Sequence, residues 1–299
     1  MRGRSVKHAR RIPPARISRS EMRINPCKWH AFQARARLPG TMGKMASTRS
    51  TLQSHHPRLN RLLAALPPDE YEEVLPALEP IALFPGMALY ESGDPQPYLY
   101  FPESGMVSLL YLLEDGGSTE LAVTGSEGVV GVSLFMGGGT TPSRAVVQIR
   151  GHAWRMRFGP MKRSLARGGA LQPLLLRFTQ ALITQMTQAA VCNRHHSVDQ
   201  QVCRWLLFAL DRAASSEIPM TQERIAHLLG VRREGVTEAA GRLQESGFIE
   251  YSRGRIRVLE RPQLESLVCE CYAVVKSEYE RLLPALRPAT GDPPPAGRS

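Results

Sequence analysis

The segment that decides the fold is residues 219–259, which reads PMTQERIAHLLGVRREGVTEAAGRLQESGFIEYSRGRIRVL. Thr221 is a favourable N-cap, and Glu223 lies in the first helical turn that would follow it. Gly230 supplies a turn, after which a second helix is predicted at about 232–246, ending at Gly247. Two helices joined by a tight glycine turn are typical of a helix-turn-helix.

A basic hairpin is predicted to follow these helices. Residues 248–258 alternate apolar and polar side chains around a turn that contains Gly254. The outward-pointing arginines of this hairpin are Arg253, Arg255 and Arg257. Residues 221–258 carry a net charge of +2, whereas residues 51–299 as a whole carry −1. A three-helix bundle with a solvated basic face would not explain why basic residues are concentrated in this segment. The segment therefore predicts a winged helix-turn-helix that binds DNA.

The composition excludes several classes of protein. The 299 residues suffice for two domains of ordinary size, and 42% of them are hydrophobic, as in a globular protein. No apolar run approaches the roughly 18 residues that span a bilayer, and the N-terminus lacks the apolar stretch of a secretory signal. We therefore expect neither a membrane protein nor a membrane partner. The net charge of +11 says little about partners, because residues 1–50 alone carry +12.

The two ends of the chain are predicted to be tails. Residues 1–48 are rich in Arg, Pro and Ser and show no apolar period. Three interpretations stay open for them: a disordered basic arm, an organelle transit peptide, or a translation start assigned too far upstream. The third is favoured, with translation from Met45, since the segment has no pattern suited to packing. A shorter disordered tail is expected at residues 288–299.

The five cysteines are odd in number and scattered, which excludes a disulfide framework and favours a reducing compartment, the cytoplasm. Cys269 and Cys271 are the only close pair, and in a helix they would point to different sides. His195 and His196 are adjacent and cannot both face one ion from a helix, so we interpret them as a hinge. The sequence therefore predicts structural thiols, no metal site and no cofactor.

Residues 49–169 are predicted to be rich in β-strands. Short apolar runs are separated by glycine-containing turns about every 8–12 residues, a spacing typical of a barrel, sandwich or roll. Two hairpins are predicted, one between residues 107–113 and 120–124 and the other between 145–149 and 152–158.

The period changes at residues 170–196, where apolar residues step by alternating four and three positions. The side chains of this seam are Leu171, Leu175, Phe178, Leu182, Gln185 and Ala189. Such a seam is typical of a coiled coil, so we predict a long helix that is either buried between domains or pairs with its copy. A further amphipathic helix over 264–283 is expected either to cap the DNA-binding half or to dock a partner, of which capping is the simpler role.

A glycine-punctuated roll, a long helix and a winged helix, in this order, resemble the Crp/Fnr superfamily of bacterial transcription regulators. The likeness covers about residues 55–285, and in the roll it rests on Gly86-x2-Leu89-Tyr90-x2-Gly93-Asp94. The closest match is the motif Thr221-Gln222-Glu223-x-Ile225-Ala226-x2-Leu229-Gly230-Val231-x-Arg233-Glu234-x-Val236. The resemblance implies an α+β fold with an N-terminal β-roll (a cyclic-nucleotide-binding-like jelly roll) over 49–169 as sensor domain. A dimerisation helix over 170–196 and a C-terminal winged helix-turn-helix over 197–287 would follow.

The resemblance also implies which residues bind DNA. Arg233 and Glu234 match the pair that reads bases in the family, since an Arg can grip guanine and a Glu can accept from cytosine. The family's third reading position, an Arg, is Glu238 here, so we expect a half-site that departs from the usual consensus. Gly235 would let the backbone approach the DNA closely. The expected DNA-binding residues are Gln222, Arg232, Arg233, Glu234, Thr237, Glu238, Arg253 and Arg255.

The ligand site of the family is altered in this sequence. Gly131-Val132-Ser133-Leu134 replaces the Gly-Glu-Leu that holds a ribose, and Ser143-Arg144-Ala145 exchanges the order of the phosphate-binding Arg-Ser/Thr-Ala. A shift of one position along a strand reverses the direction of a side chain, so Arg144 would point away from the phosphate. We therefore expect no classical control by cyclic AMP. The effector-pocket candidates are Ser143, Arg144, Met186 and Thr187.

We therefore expect a sequence-specific transcriptional regulator that acts as a homodimer on an inverted repeat, with an effector of unknown identity. The alternative is a second-messenger sensor, for a cyclic mononucleotide or dinucleotide, that regulates transcription through the same domains. The expected partners are double-stranded DNA, a second copy joined through the seam, and RNA polymerase. An enzyme is not expected, because the sequence has no Gly-x-Ser-x-Gly elbow.

Overall fold

The computed structural model describes residues 55–114 and 116–283, all of which belong to one compact unit. Its architecture is the expected α+β type, with a β-roll, a long helix and a winged helix-turn-helix in that order. The predicted tails, residues 1–48 and 288–299, lie outside the described residues. Within the described part of the chain, no helix is both long and apolar enough to cross a bilayer.

The roll consists of short helices and two antiparallel sheets. Its helices are α1 (Arg61–Ala64), α2 (Pro68–Val74), α3 (Val132–Phe135) and α4 (Phe158–Ala166), with 3-10 turns at Pro57–Leu59 and Leu75–Ala77. Its strands are β1 (Glu79–Leu83), β2 (Ala88–Tyr90), β3 (Tyr98–Pro102), β4 (Met106–Leu112), β5 (Ser118–Thr124), β6 (Ser143–Ile149) and β7 (Gly151–Arg157). One sheet has the order β1-β7-β3 and the other the order β2-β6-β4-β5. The chain therefore crosses repeatedly from one sheet to the other.

Only one of the two predicted hairpins of the roll forms. Strands β4 and β5 pair as expected, with Val107 opposite Thr124. Strands β6 and β7 do not pair, because β6 lies between β2 and β4 whereas β7 lies between β1 and β3. Where the chain crosses between the sheets, a Cβ atom on Gly151 would lie 2.2 Å from the backbone oxygen of Ser104. This glycine therefore permits a close approach of two backbone segments and does not form a hairpin turn.

The long helix α5 spans Leu171–His195, close to the predicted bounds. A carboxylate from a distant part of the chain caps the first turn of α5. Glu70 of α2 accepts hydrogen bonds from the backbone nitrogens of Ala170 and Leu171, at 2.7 and 3.1 Å. A carboxylate in this place satisfies backbone donors that have no partner within the helix, and the helix dipole favours its charge.

The DNA-binding half begins with the capping box of Ser197 and Gln200, whose side chains each accept a hydrogen bond from the other's backbone nitrogen. Its elements are α6 (Val198–Leu210), β8 (Glu217–Ile218), α7 (Gln222–Leu229), α8 (Arg233–Glu245), β9 (Ile249–Ser252), β10 (Arg255–Val258), α9 (Arg261–Leu267) and α10 (Glu270–Leu282). The predicted basic hairpin is β9 and β10. Strand β8 joins it to make a three-stranded wing in the order β8-β10-β9.

The single helix predicted over 264–283 is in fact two helices, α9 and α10. The chain leaves the helical conformation at Val268 and Cys269, whose ψ angles are 150° and 163°. Helix α10 then packs along α5, and it also sends Tyr272 and Val275 into the core of the DNA-binding half. It therefore joins the long helix to the DNA-binding half, which goes beyond the capping role expected.

The DNA-binding half rests directly on the sheet of the roll that contains β5 and β6. Trp205 of α6 lies in one buried core with Val123 of β5. Arg224 of α7 donates a hydrogen bond to the side-chain oxygen of Gln148 on β6, at 2.8 Å. An apolar contact from α6 and a polar contact from α7 thus tie the DNA-binding half to the roll.

Candidate DNA interface and effector pocket

The helix-turn-helix forms where the sequence predicts it. The Thr221 hydroxyl accepts a hydrogen bond from the backbone nitrogen of Arg224, at 3.2 Å, and so caps α7. Gly230 ends this helix in the left-handed conformation, with a φ of 67°. The Thr237 hydroxyl of α8 donates to the side-chain oxygen of Gln222, at 2.9 Å. This contact fixes the second helix against the start of the first.

The outer face of α8 carries the residues predicted to read DNA. The exposed residues there and at its N-cap are Arg232, Arg233, Glu234, Thr237 and Glu238. Among the described residues, no carboxylate oxygen lies within 4.0 Å of a side-chain nitrogen of Arg232 or Arg233. Further along the helix, Arg242 is held by Asp199 through two hydrogen bonds of 2.8 and 2.9 Å. The two arginines at the start of α8 are therefore the ones available to bases or phosphates.

Gly235 of α8 lies on a different side of the helix. A Cβ atom at this position would lie 3.7 Å from both methyl groups of Val198, in ordinary van der Waals contact. The glycine thus meets the first turn of α6, contrary to the expectation that it lets the backbone approach the DNA.

The tip of the wing is a two-residue turn at Arg253 and Gly254, with φ angles of 49° and 75°. Positive φ at both central positions is what a type I′ hairpin turn requires, and it leaves Arg253 exposed at the tip. Arg255 and Arg257 instead form ion pairs with Glu217 of β8, at 2.6 and 3.8 Å. The hydrogen bond from Arg255 is the main cause that lowers the pKa of Glu217. Sequence reasoning missed this carboxylate, because a two-residue strand has no pattern to recognise.

A cavity of about 310 Å³ lies between the roll and α5. Its lining is apolar apart from serine, threonine and tyrosine hydroxyls and backbone groups, and no described residue that lines it has a charged side chain. Two of the predicted effector-pocket residues, Ser143 and Met186, line this cavity.

The other two predicted pocket residues, Arg144 and Thr187, do not line the cavity. The buried Arg144 donates a hydrogen bond to Glu91 at 2.8 Å. Thr187 is exposed, and its hydroxyl donates to the backbone oxygen of Ile183, at 2.9 Å. Successive side chains on a strand point to opposite faces, which explains why Ser143 faces the cavity while Arg144 does not.

The seam predicted for dimerisation is buried within the chain itself. Its six residues are all at most 6% exposed: Leu171, Leu175, Phe178, Leu182, Gln185 and Ala189. Leu171, Leu175, Phe178 and Leu182 pack into the core of the roll. On α10, the Tyr279 ring lies 6.2 Å from that of Phe178, and the Tyr279 hydroxyl donates to Gln185. A second chain could not reach this seam without opening that core. The exposed row of α5 consists of Leu176, Gln180, Ile183, Thr187 and Ala190.

The structure corrects the expectation that Cys269 and Cys271 point to different sides. Four side chains converge between α5 and α10: Cys192, His196, Cys269 and Cys271. Cys269 is the N-cap of α10 and has an extended backbone, so its thiol and that of Cys271 reach the same place. Cys192 and Cys269 are 77 positions apart in the chain, which no local spacing rule can bridge.

Comparison with known proteins finds the same two domains in the same order. A model of the cyclic nucleotide-binding domain matches residues 81–167, and a model of the Crp-like helix-turn-helix domain matches residues 200–267. No curated protein matches the chain.

Several solved structures share the fold. A structure described as a Crp/Fnr-family regulator from Eubacterium rectale is 18% identical with a TM-score of 0.57, covering 70% of this chain and 98% of that one. FixK2 from Bradyrhizobium japonicum is 18% identical with a TM-score of 0.54, and CLP from Xanthomonas campestris is 17% identical with a TM-score of 0.52. Each of these two covers 64% of this chain and 98% of its own. With a cyclic nucleotide-binding-type roll followed by a Crp-like helix-turn-helix, the chain belongs to the Crp/Fnr family of DNA-binding transcriptional regulators.

Proposed function

We propose that the protein is a homodimeric transcriptional regulator that recognises an inverted repeat in double-stranded DNA. The observation that carries this proposal is the exposed face of α8, where Arg233 and Glu234 stand at the start of the helix. Beside it, the wing presents Arg253 at its tip. A helix that reads base edges in the major groove and a wing that contacts phosphates suit this arrangement.

The roles within the half-site follow from side-chain chemistry. Arg233 binds the O6 and N7 atoms of a guanine, and Glu234 accepts a hydrogen bond from a cytosine amino group. Glu238 has no hydrogen to donate to guanine and favours cytosine on the strand it faces. Arg232 and Arg253 contact phosphates, since each is exposed and neither has a carboxylate within 4.0 Å among the described residues.

The proposed dimer forms through the exposed row of α5. Leu176 and Ile183 are 56% and 49% exposed, which is unusual for large apolar side chains on one helical stripe. Residues of this row are spaced by four and three positions, as in a two-helix coiled coil. Two-fold pairing of α5 would place two recognition helices one helical turn of DNA apart, as an inverted repeat requires.

The DNA proposal is tested by selecting bound duplexes from a random library. We expect a two-fold symmetric consensus from the wild-type protein. Arg233→Ala should lose about 1–3 kcal/mol of discrimination at one base pair of each half-site. Arg253→Gln should weaken binding evenly across sequences and reduce the slope of log affinity against log salt concentration by about 1. Glu238→Arg, which installs the family's own residue, should shift its base preference to guanine.

Two results would contradict this assignment. One is an enriched sequence without two-fold symmetry. The other is a consensus that is unchanged at every position in Arg233→Ala, together with altered base preference in Arg253→Gln.

The dimer surface is tested by sedimentation. Ile183→Glu puts a charge in the middle of the exposed row and should convert the dimer to a monomer with unchanged helix content. Leu267→Glu is the matched control, because Leu267 is also a large exposed apolar residue, at 45%, but lies on α9. A dimer that persists in Ile183→Glu would place the interface elsewhere.

We propose that the cavity beside α5 takes a small uncharged ligand. Its volume of about 310 Å³ suits such a ligand, and its described lining offers no cation to a phosphate. The CLP structure from Xanthomonas campestris is described as c-di-GMP responsive, but the Arg144 side chain of this chain pairs with Glu91. Neither cyclic AMP nor c-di-GMP should therefore raise the melting temperature. A saturable rise with either ligand that Arg144→Ala abolishes would contradict the proposal and support the second-messenger alternative.

A further inference from the structure

The end of α5 and the start of α10 bring four potential metal ligands together. Cys192 lies in the last turn of α5, and His196 is the C-cap residue that directly follows the helix, with its backbone nitrogen still donating to the carbonyl oxygen of Cys192. Cys269 and Cys271 enter from α10, the first from the N-cap and the second from the first turn. We call these four residues the Cys3His cluster.

The distances within the Cys3His cluster suit one metal ion. All four ligand atoms lie within 4.8 Å of one another. The Cys192 and Cys269 sulfur atoms are 3.6 Å apart, and the Cys271 sulfur lies 3.5 Å from Nδ1 of His196. A tetrahedral zinc ion with Zn–S bonds of about 2.3 Å would place its ligand atoms about 3.8 Å apart. An iron–sulfur cluster holds its thiolates on different iron atoms and would need a wider spacing.

The surroundings of the cluster also fit a metal site. Glu270 lies on the far side of the His196 ring, with a carboxylate oxygen 3.3 Å from Nε2. A carboxylate that accepts a hydrogen bond from the Nε2–H group leaves Nδ1 free to bind a metal and fixes the plane of the ring. The backbone oxygen of His196 is held in turn by the Gln201 side chain, at 3.0 Å. The three thiols are buried, so an ion there would be shielded from water.

We propose that the Cys3His cluster binds a single tetrahedral metal ion of the zinc class. Binding would release one proton from each of the three thiols to solvent and form three metal–sulfur bonds and one metal–nitrogen bond. The ion would cross-link α5 to α10 at the junction where the long helix gives way to the DNA-binding half. It would therefore hold the orientation of that half relative to α5.

The experiment uses the full-length protein, reduced and prepared without oxygen, freed of metal and titrated with Co²⁺. Tetrahedral Co²⁺ with thiolate ligands has strong visible bands and a sulfur-to-cobalt charge-transfer band, which together report its ligand set. We expect one Co²⁺ ion per chain, displaced by Zn²⁺. Cys271→Ser should lose the spectrum, whereas the control Cys203→Ala should keep it, since Cys203 is buried on α6 outside the cluster.

A surface variant keeps the test informative if a cysteine variant fails to fold. Glu270→Gln changes an exposed side chain and should weaken Co²⁺ binding about 10–100-fold. Glu280→Gln, an exposed residue of the same helix, should leave the affinity unchanged.

Three results would overturn the proposal. The first is folded, reduced protein that gives no tetrahedral Co²⁺ spectrum. The second is protein isolated with the absorption of an iron–sulfur cluster. The third is a Cys192–Cys269 disulfide that forms in place of metal binding under reducing conditions. None of these results bears on DNA recognition by α8.

Discussion

The carboxyl group of Glu120 on β5 lies where the roll meets the DNA-binding half. Its titration makes the stability of the folded protein depend on pH. The Ser108 hydroxyl donates a hydrogen bond to it, and the guanidinium groups of Arg204 and Arg212 act on it from α6 and the residues just after it. Burial outweighs these favourable partners and raises the pKa of Glu120 from 4.5 to about 7. We predict that Glu120→Gln removes this pH dependence, because the amide resembles the protonated acid.

The size of the effect follows from the shift in pKa. The folded protein holds the Glu120 proton up to about pH 7, whereas the unfolded chain releases it near pH 4.5. The contribution to the free energy of unfolding is therefore fully present below pH 4.5 and is lost as pH rises through 7. A shift of this size corresponds to about 3 kcal/mol, since one pKa unit is worth about 1.4 kcal/mol. Glu120→Gln should be more stable than wild type by up to about 3 kcal/mol at pH 8, the difference vanishing at pH 4.

The measurement is urea unfolding at several values of pH between 4 and 8, followed by tryptophan fluorescence. The quantity compared is the difference in unfolding free energy between variant and wild type. Glu114→Gln is the matched control, because Glu114 is an exposed glutamate near the β4–β5 turn. A difference between Glu120→Gln and wild type that stays constant over this range would refute the reasoning.

Three further predictions concern helix α8, the wing and the roll. Gly235→Ala should stabilise the protein by about 0.5–1 kcal/mol in urea unfolding, because the added Cβ atom would lie 3.7 Å from Val198, in ordinary contact. The control Gly230→Ala should destabilise the protein, since the φ angle at residue 230 is 67°. Gly128→Ala should cost about 1–3 kcal/mol in the same assay, because its Cβ would lie 2.2 Å from the Phe178 ring; a stability equal to wild type would show that the ring moves freely. Glu217→Gln should raise the affinity for a random duplex severalfold at low salt, as measured by fluorescence anisotropy, because it frees Arg255 from its ion pair, whereas Arg257 keeps its pairing with Glu250; an unchanged affinity would mean that Arg255 does not face a phosphate.

Local patterns predicted the elements of this fold well, because each depends on neighbouring residues. The N-cap Thr221, the left-handed Gly230 and the capping box of Ser197 all carry their signal within four positions. The long helix was equally clear from its period. The wing hairpin followed from its alternation and its Arg253-Gly254 turn.

The features that sequence reasoning missed all depend on residues that are far apart in the chain. The apolar period of α5 shows that one face of the helix is buried, but it does not show what buries that face. The seam assigned to a partner is covered by the core of the roll and by α10. The alternation of apolar and polar residues predicts the strands β6 and β7, but it does not show that the two strands lie in different sheets. Likewise, the contact of Cys192 with Cys269 depends on how α10 folds back along α5.

The buried seam and the exposed row of α5 have a consequence for how the protein responds to dilution. The seam is covered by residues of the same chain, so a single copy already buries its hydrophobic core. Folding and association would then be separate equilibria, unlike in an obligate dimer whose subunits unfold on separation. For the proposed homodimer, the melting temperature should depend little on protein concentration, while occupancy of the proposed inverted repeat should fall steeply once the concentration drops below the dissociation constant of the dimer. The amount of protein in the cell would then itself set whether its target genes are regulated.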